Sequence, residues 1–122
     1  MSELKDISDI SISSEASAFV ETIFEQGLFK NRADILSIAA AYTLKYHYKT
    51  FEPAAYILKD AGGLNYGYST FDADGKWSAL IRGLYPECVT PHLYLRALMD
   101  KGLLLIAQRM RDDVAYSIID EL

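Results

Sequence analysis

The sequence predicts a mainly α-helical protein. Five to six helices follow one short N-terminal strand, in a single helical domain over residues 10–122 behind a flexible acidic arm at residues 1–9. Three observations predict this all-alpha architecture. Apolar residues recur at three- and four-residue steps along most of the chain, the period of one helical face. Cap residues stand where these runs begin, and glycine or proline stands where they end. The 122 residues, 51% hydrophobic and 24% charged, suffice for one domain that buries about two thirds of its unfolded surface without a covalent staple.

Ile10-Ser11-Ile12-Ser13 alternates apolar and polar, the period of a half-buried strand. Ser13 or Ser14 then offers a hydroxyl to an unpaired first-turn amide. Ala16, Phe19, Val20, Ile23 and Phe24 line one face of the first helix up to Gly27, which suits a left-handed stop. Asn31 caps a second helix from about Arg32 to Tyr46. Asp34 in its first turn and Lys45, His47 and Lys49 at its end complement the helix dipole. Apolar residues cover more than one of its faces, which predicts the buried central helix.

Pro53 suits the opening of a short third helix over Ala54–Ala61, ended by Gly62-Gly63. Leu64–Phe71 reads as a loop or a short hairpin. Asp72 or Asp74 caps a fourth helix carrying Trp77, Leu80, Ile81 and Leu84, closed by Pro86. Thr90-Pro91 opens a fifth with Leu93, Tyr94, Ala97 and Leu98, and Gly102 reads as its stop. Leu103–Ile106 fits a buried strand or a helix start equally well. Ala107, Met110, Val114, Ile118 and Leu122 form a last amphipathic stripe.

The net charge of −5 argues against a general nucleic-acid binder. Residues 1–26 hold Glu3, Asp6, Asp9, Glu15, Glu21 and Glu25 against Lys5, and the tail adds Asp112, Asp113, Asp120 and Glu121. The middle of the chain is therefore mildly basic, a distribution that fits a partner-specific interface. Nine tyrosines and five phenylalanines belong either to the rim of the core or to a partner-facing surface. Cys88 is the only cysteine, which excludes an internal disulfide and suits a reducing compartment. No apolar run approaches the roughly 20 residues of a membrane span, and the N-terminus lacks the basic-then-apolar order of a signal peptide. A cytoplasmic protein with no membrane contact is expected.

Chemistry is sparse. Cys88 and His92 are four apart, but Thr90-Pro91 starts a helix between them, and no third group orients the imidazole as a nucleophile's base requires. His47, His92 and Cys88 lack paired-ligand spacing for a transition metal. Asp72-Ala73-Asp74-Gly75 lacks the third oxygen residue and closing glutamate of a calcium loop. The glycines at 62, 63 and 67 belong to no phosphate-binding pattern. No catalytic residue, metal site or cofactor is expected.

The order strand, capped helix, Gly27-x-Phe29-Lys30-Asn31-Arg32-x-Asp34 turn, helix over residues 10–46 resembles the ribbon-helix-helix module of small prokaryotic DNA-binding regulators. The matching residues are Ile10, Ile12, Phe19, Val20, Ile23, Gly27, Phe29, Asn31, Ile35 and Ala39. The resemblance implies a homodimer in which the strands of two chains pair, since one short strand does not stand alone. It also implies that Ser11 and Ser13 face DNA and that Lys30, Asn31 and Arg32 meet the backbone, the helix start holding a phosphate. Lys45 and Lys49 are further candidates for phosphate contact. Asp6 and Asp9, just before the strand, would repel phosphate.

A wider pattern is similar to small accessory proteins of bacterial DNA phosphorothioation (Dnd-type) systems. It comprises Phe29-Lys30-x-x-Ala33-Asp34-Ile35, Ala39-Ala40-Ala41, Tyr94-Leu95-x-x-Leu98 and Gly102-Leu103-x-x-Ile106. Together the two resemblances imply a non-enzymatic dimeric regulator or accessory protein of a prokaryotic DNA-related, defence-linked system that contacts DNA. The alternative is a protein-interaction module, an inhibitor or assembly subunit, that binds no nucleic acid.

Overall fold

The computed structural model describes residues 5–122, so Glu3 and the start of the acidic arm lie outside the described residues. The elements are β1 (Asp9–Ser11), α1 (Ser14–Phe24), α2 (Arg32–His47), β2 (Asn65–Gly67), α3 (Ser69–Asp72), α4 (Lys76–Leu84) and α5 (Pro91–Asp112), with 3-10 turns at Pro53–Ala55 and Ile118–Glu121. The protein is mainly helical with one short two-stranded antiparallel sheet. No helix among the described residues is long and apolar enough to cross a membrane.

Side-chain caps start α1 and α2 where the sequence places them. Ser13 accepts the amide of Ala16 at 3.2 Å, and Asn31 accepts that of Asp34 at 3.0 Å. Gly27 adopts a left-handed φ of 78° just past α1. The long helix α5 is the hub of the core. It packs against α1, α2, α4, β1 and the Pro53 turn, so α5, and not α2, is the central helix. Leu95, Leu98, Met99, Leu103 and Ile106 of α5 are fully buried, against Ile35 and Leu36 of α2 and Val20 and Ile23 of α1.

Gly102 does not stop α5, which runs on for ten residues to Asp112. A Cβ at Gly102 would lie 2.0 Å from the carbonyl oxygen of Ala39. The glycine is there so that α2 and α5 can touch backbone to backbone. The Thr43 hydroxyl closes the same crossing by donating to the Leu98 carbonyl at 2.8 Å. Val114, in the middle of the expected last stripe, is fully exposed, while Ile118 is buried in the final 3-10 turn.

The third helix expected over Ala54–Ala61 shrinks to the Pro53–Ala55 turn. Polar side chains pull the following residues elsewhere. The Tyr56 hydroxyl donates to buried Asp100, and the Asp60 carboxylate accepts the amide and hydroxyl of Ser14 and the amide of Gly62. This carries Leu64 under Ile12, whose amide donates to the Leu64 carbonyl at 3.0 Å, and β2 then pairs with β1. The register sets Asp9 opposite Gly67, Ile10 opposite Tyr66 and Ser11 opposite Asn65. The N-terminal strand therefore finds its partner within its own chain, where the sequence reading had it pair across a homodimer.

Candidate functional site

Four of the expected phosphate-contacting residues are engaged within the fold. Ser13 is only 2% exposed and is spent as the α1 cap, so it is corrected from a DNA-facing residue to a structural one. Ser11 donates to Asn65 across the sheet at 2.7 Å. Asn31 caps α2. Arg32 forms a two-pronged pair with Glu21, Nε to Oε1 at 2.6 Å and Nη2 to Oε2 at 3.1 Å. Its guanidinium also lies 4.2 Å from the centre of the Phe24 ring, so it clamps the end of α1 to the start of α2. Lys30, Lys45 and Lys49 remain exposed, Lys30 before α2 and the other two around its far end.

A polar cluster unread in the sequence joins three distant segments. Asp6 caps α5, its carboxylate accepting the amides of His92 at 2.8 Å and Leu93 at 2.9 Å. The same carboxylate lies 3.2 Å from His92 Nδ1, while Asp72 Oδ2 lies 2.8 Å from Nε2. Tyr68 stacks on the imidazole with ring centroids 4.5 Å apart. Asp72 also accepts the amides of Trp77 and Ser78, which starts α4, and the Ser78 hydroxyl at 2.5 Å. Burial pushes the Asp72 carboxyl up, but the bonds from Ser78, His92 and the two amides outweigh it and hold the group below its ordinary value. The sequence offers Asp72 or Asp74 as a cap of the fourth helix, and both accept amides at its start, Asp74 that of Lys76 at 3.1 Å. No local pattern announces Asp6, which acts 86 residues away.

Aspartate, histidine and serine in one cluster invite comparison with a nucleophilic triad. That chemistry needs the serine proton on the imidazole. Here Ser78 donates to Asp72, and its oxygen is 3.3 Å from His92 Nε2. Each ring nitrogen faces a carboxylate, so the arrangement fastens the three segments together. Cys88 is buried, and burial pushes its thiol up, away from the reactive thiolate. Among the described residues no group of three or more His, Cys, Asp and Glu side chains is placed to hold a metal ion.

What the fold leaves open is apolar. A groove of about 620 Å³ runs between α1 and α5, lined by Glu15, Ala18, Phe19, Thr22, Leu104, Ala107, Gln108, Met110 and Arg111. Its floor is Phe19, Leu104, Ala107 and Met110, and its charges are confined to Glu15 and Arg111. A shallower groove of about 410 Å³ lies between Leu28-Phe29-Lys30, the first turns of α2 and Leu122. No protein-family model, no curated protein and no solved structure matches the chain.

Proposed function

We propose that this protein is a non-enzymatic protein-interaction module that docks a protein partner on the groove between α1 and α5. The observation that carries the reading is the groove itself, a concave strip with an apolar floor on the helix that organises the core. Interfaces centre on such desolvated patches, with polar groups at the rim. The hydrogen-bonding side chains that would otherwise suggest catalysis are engaged in holding segments together, which supports binding over chemistry. The acidic net charge and the dispersal of Ser11, Ser13, Asn31 and Arg32 into structural roles weaken the DNA-contacting reading, which keeps Lys30, Lys45 and Lys49.

Site-specific photo-cross-linking tests the proposal. A photoreactive residue at Ala18 or Gln108, both exposed in the groove, should give a discrete protein adduct in expressing cells, resistant to nuclease. The same residue at Val114, outside the groove, should give none. Ala18→Arg should abolish the adduct formed at position 108 while leaving the circular dichroism spectrum unchanged. Equal labelling at all three positions would overturn the proposal. So would nuclease-sensitive adducts accompanied by a duplex mobility shift that weakens steeply with salt.

A further inference from the structure

We infer that the occupant of the α1/α5 groove is a second copy of this chain, docked about a two-fold axis. The inference rests on the docking face proposed above and names its partner. Glu15, Ala18, Phe19 and Thr22 on α1 stand at positions i, i+3, i+4 and i+7, and Leu104, Ala107, Gln108 and Arg111 on α5 repeat that spacing. Each helix thus carries a second seam beside the one it buries in the core, where Ala16, Val20 and Ile23 of α1 meet Leu103 and Ile106 of α5. Two seams of equal length, each about 10 Å at the helical rise, make half of a four-helix layer, and a second copy supplies the other half.

Charge selects the orientation. The Ser13 amide donates to Asp100 at 2.8 Å, so α1 starts beside the middle of α5. From that point the groove runs toward the C-terminal end of α5. Glu15 therefore marks one end of the groove and Arg111 the other. A two-fold axis crossing the groove at its middle brings the Glu15 end of each copy over the Arg111 end of the other. An isologous interface repeats every contact, so the opposite charges meet twice. Among the described residues Glu15 has only a long, exposed ion-pair contact, with Lys59 at 3.9 Å. Arg111 donates to Gln108 and makes no ion pair among the described residues. Ala18, Thr22 and Ala107 are small, which lets the paired helices approach.

Sedimentation analysis of the full chain, wild type and charge-swapped, tests this directly. The wild type should dimerise in the micromolar range. Glu15→Arg alone and Arg111→Glu alone each place like charges together and should weaken the dimer about tenfold or more. An equimolar mixture of the two single variants should regain wild-type affinity as a heterodimer, and the double variant should regain it as a homodimer. Both positions are exposed, so thermal melts of the monomers should coincide and exclude misfolding. A monomeric wild type, unweakened single variants, or a mixture that fails to recover would each overturn the inference. A monomer that still forms the groove adduct with another protein would remove only the second copy. Loss of adducts altogether would remove the docking face with it.

Discussion

At Gly102 two opposed effects can be weighed against each other. Replacing glycine with alanine inside a helix ordinarily stabilises by about 0.5–1 kcal/mol, through unfolded-chain entropy and helix propensity. At Gly102 the added Cβ would lie 2.0 Å from one backbone atom, the Ala39 oxygen, and 2.7 Å from another, the Ala39 carbonyl carbon. Backbone cannot swing aside as a long side chain can, so α2 and α5 must separate, and overpacking costs about 1–3 kcal/mol. Gly102→Ala should therefore lower stability by about 2 kcal/mol, read from the urea midpoint at constant slope. Gly83 in α4 is the control, since a Cβ there meets nothing within 4 Å. Gly83→Ala should raise the midpoint, and equal effects at the two sites would refute the close crossing.

Asp72 gives a second test at this scale. Its folded carboxyl lies below its ordinary value of 3.8 because the bonds from Ser78, His92 and the α4 amides outweigh burial. A depressed carboxyl contributes stability that is complete above its unfolded value and is lost as pH falls through the folded one. The contribution should therefore fade below about pH 4. Asp72→Asn should lower stability at neutral pH by about 2 kcal/mol, the range for hydrogen bonds to a charged group. It should also flatten the acid limb of the stability profile. An unchanged limb in the variant would show that Asp72 contributes nothing to it.

At the scale of elements, what the sequence reveals follows sequence distance. The starts of α1, α2 and α5 are legible because Ser13, Asn31 and Pro91 act within a few residues of themselves. The loop after Ala55 is not legible, because Tyr56 and Asp60 obey partners at Asp100 and Ser14, 44 and 46 residues away. Gly102 is misread for the same reason: a stop signal and a close crossing use the same residue, and only the neighbouring helix tells them apart. The candidate groove was legible only in part, since the helix faces show in the spacing but their side-by-side placement does not.

Asp6 illustrates the point and can be tested. Thr90 makes no side-chain cap on α5, and the Asp6 carboxylate replaces it by accepting the amides of His92 and Leu93. The segment read as a loose arm is thus docked from Asp6 onward, with Ile7 packed against the core. Asp6→Ala should cost about 1 kcal/mol, the worth of an N-cap. Hydrogen exchange should accelerate at His92 and Leu93 and leave the middle of α5 unchanged. Uniform acceleration along α5 would mean that Asp6 supports the whole fold and is no local cap.

For the whole molecule, the tyrosines report on integrity because they are spread through it. Tyr42, Tyr85, Tyr94 and Tyr116 are buried and Tyr56 and Tyr66 half-buried, which puts most of the aromatic load at the rim of the core. Burial raises the hydroxyls of Tyr56, Tyr66, Tyr85, Tyr94 and Tyr116 above the ordinary value of 10.0, that of Tyr85 to about 12. These groups lie in the loop after Pro53, in β2, at the α4–α5 junction, in α5 and beside the C-terminal turn. A neutral hydroxyl whose folded value is raised contributes stability that is complete below its unfolded value and disappears as pH rises toward the folded one. The sign is opposite to that of Asp72, so the stability profile is bounded at both ends. Alkaline unfolding should begin above about pH 10 and proceed as one transition, because the five groups share a core organised by α5. The phenolate absorbance of these tyrosines should then rise together with the loss of far-ultraviolet circular dichroism. In urea the same absorbance should appear at lower pH as a simple titration. If phenolate formation were complete in the folded chain before any helix is lost, the tyrosines would not be rim residues of the core. Those five would then be open to a partner, as Tyr46, Tyr48 and Tyr68 already are.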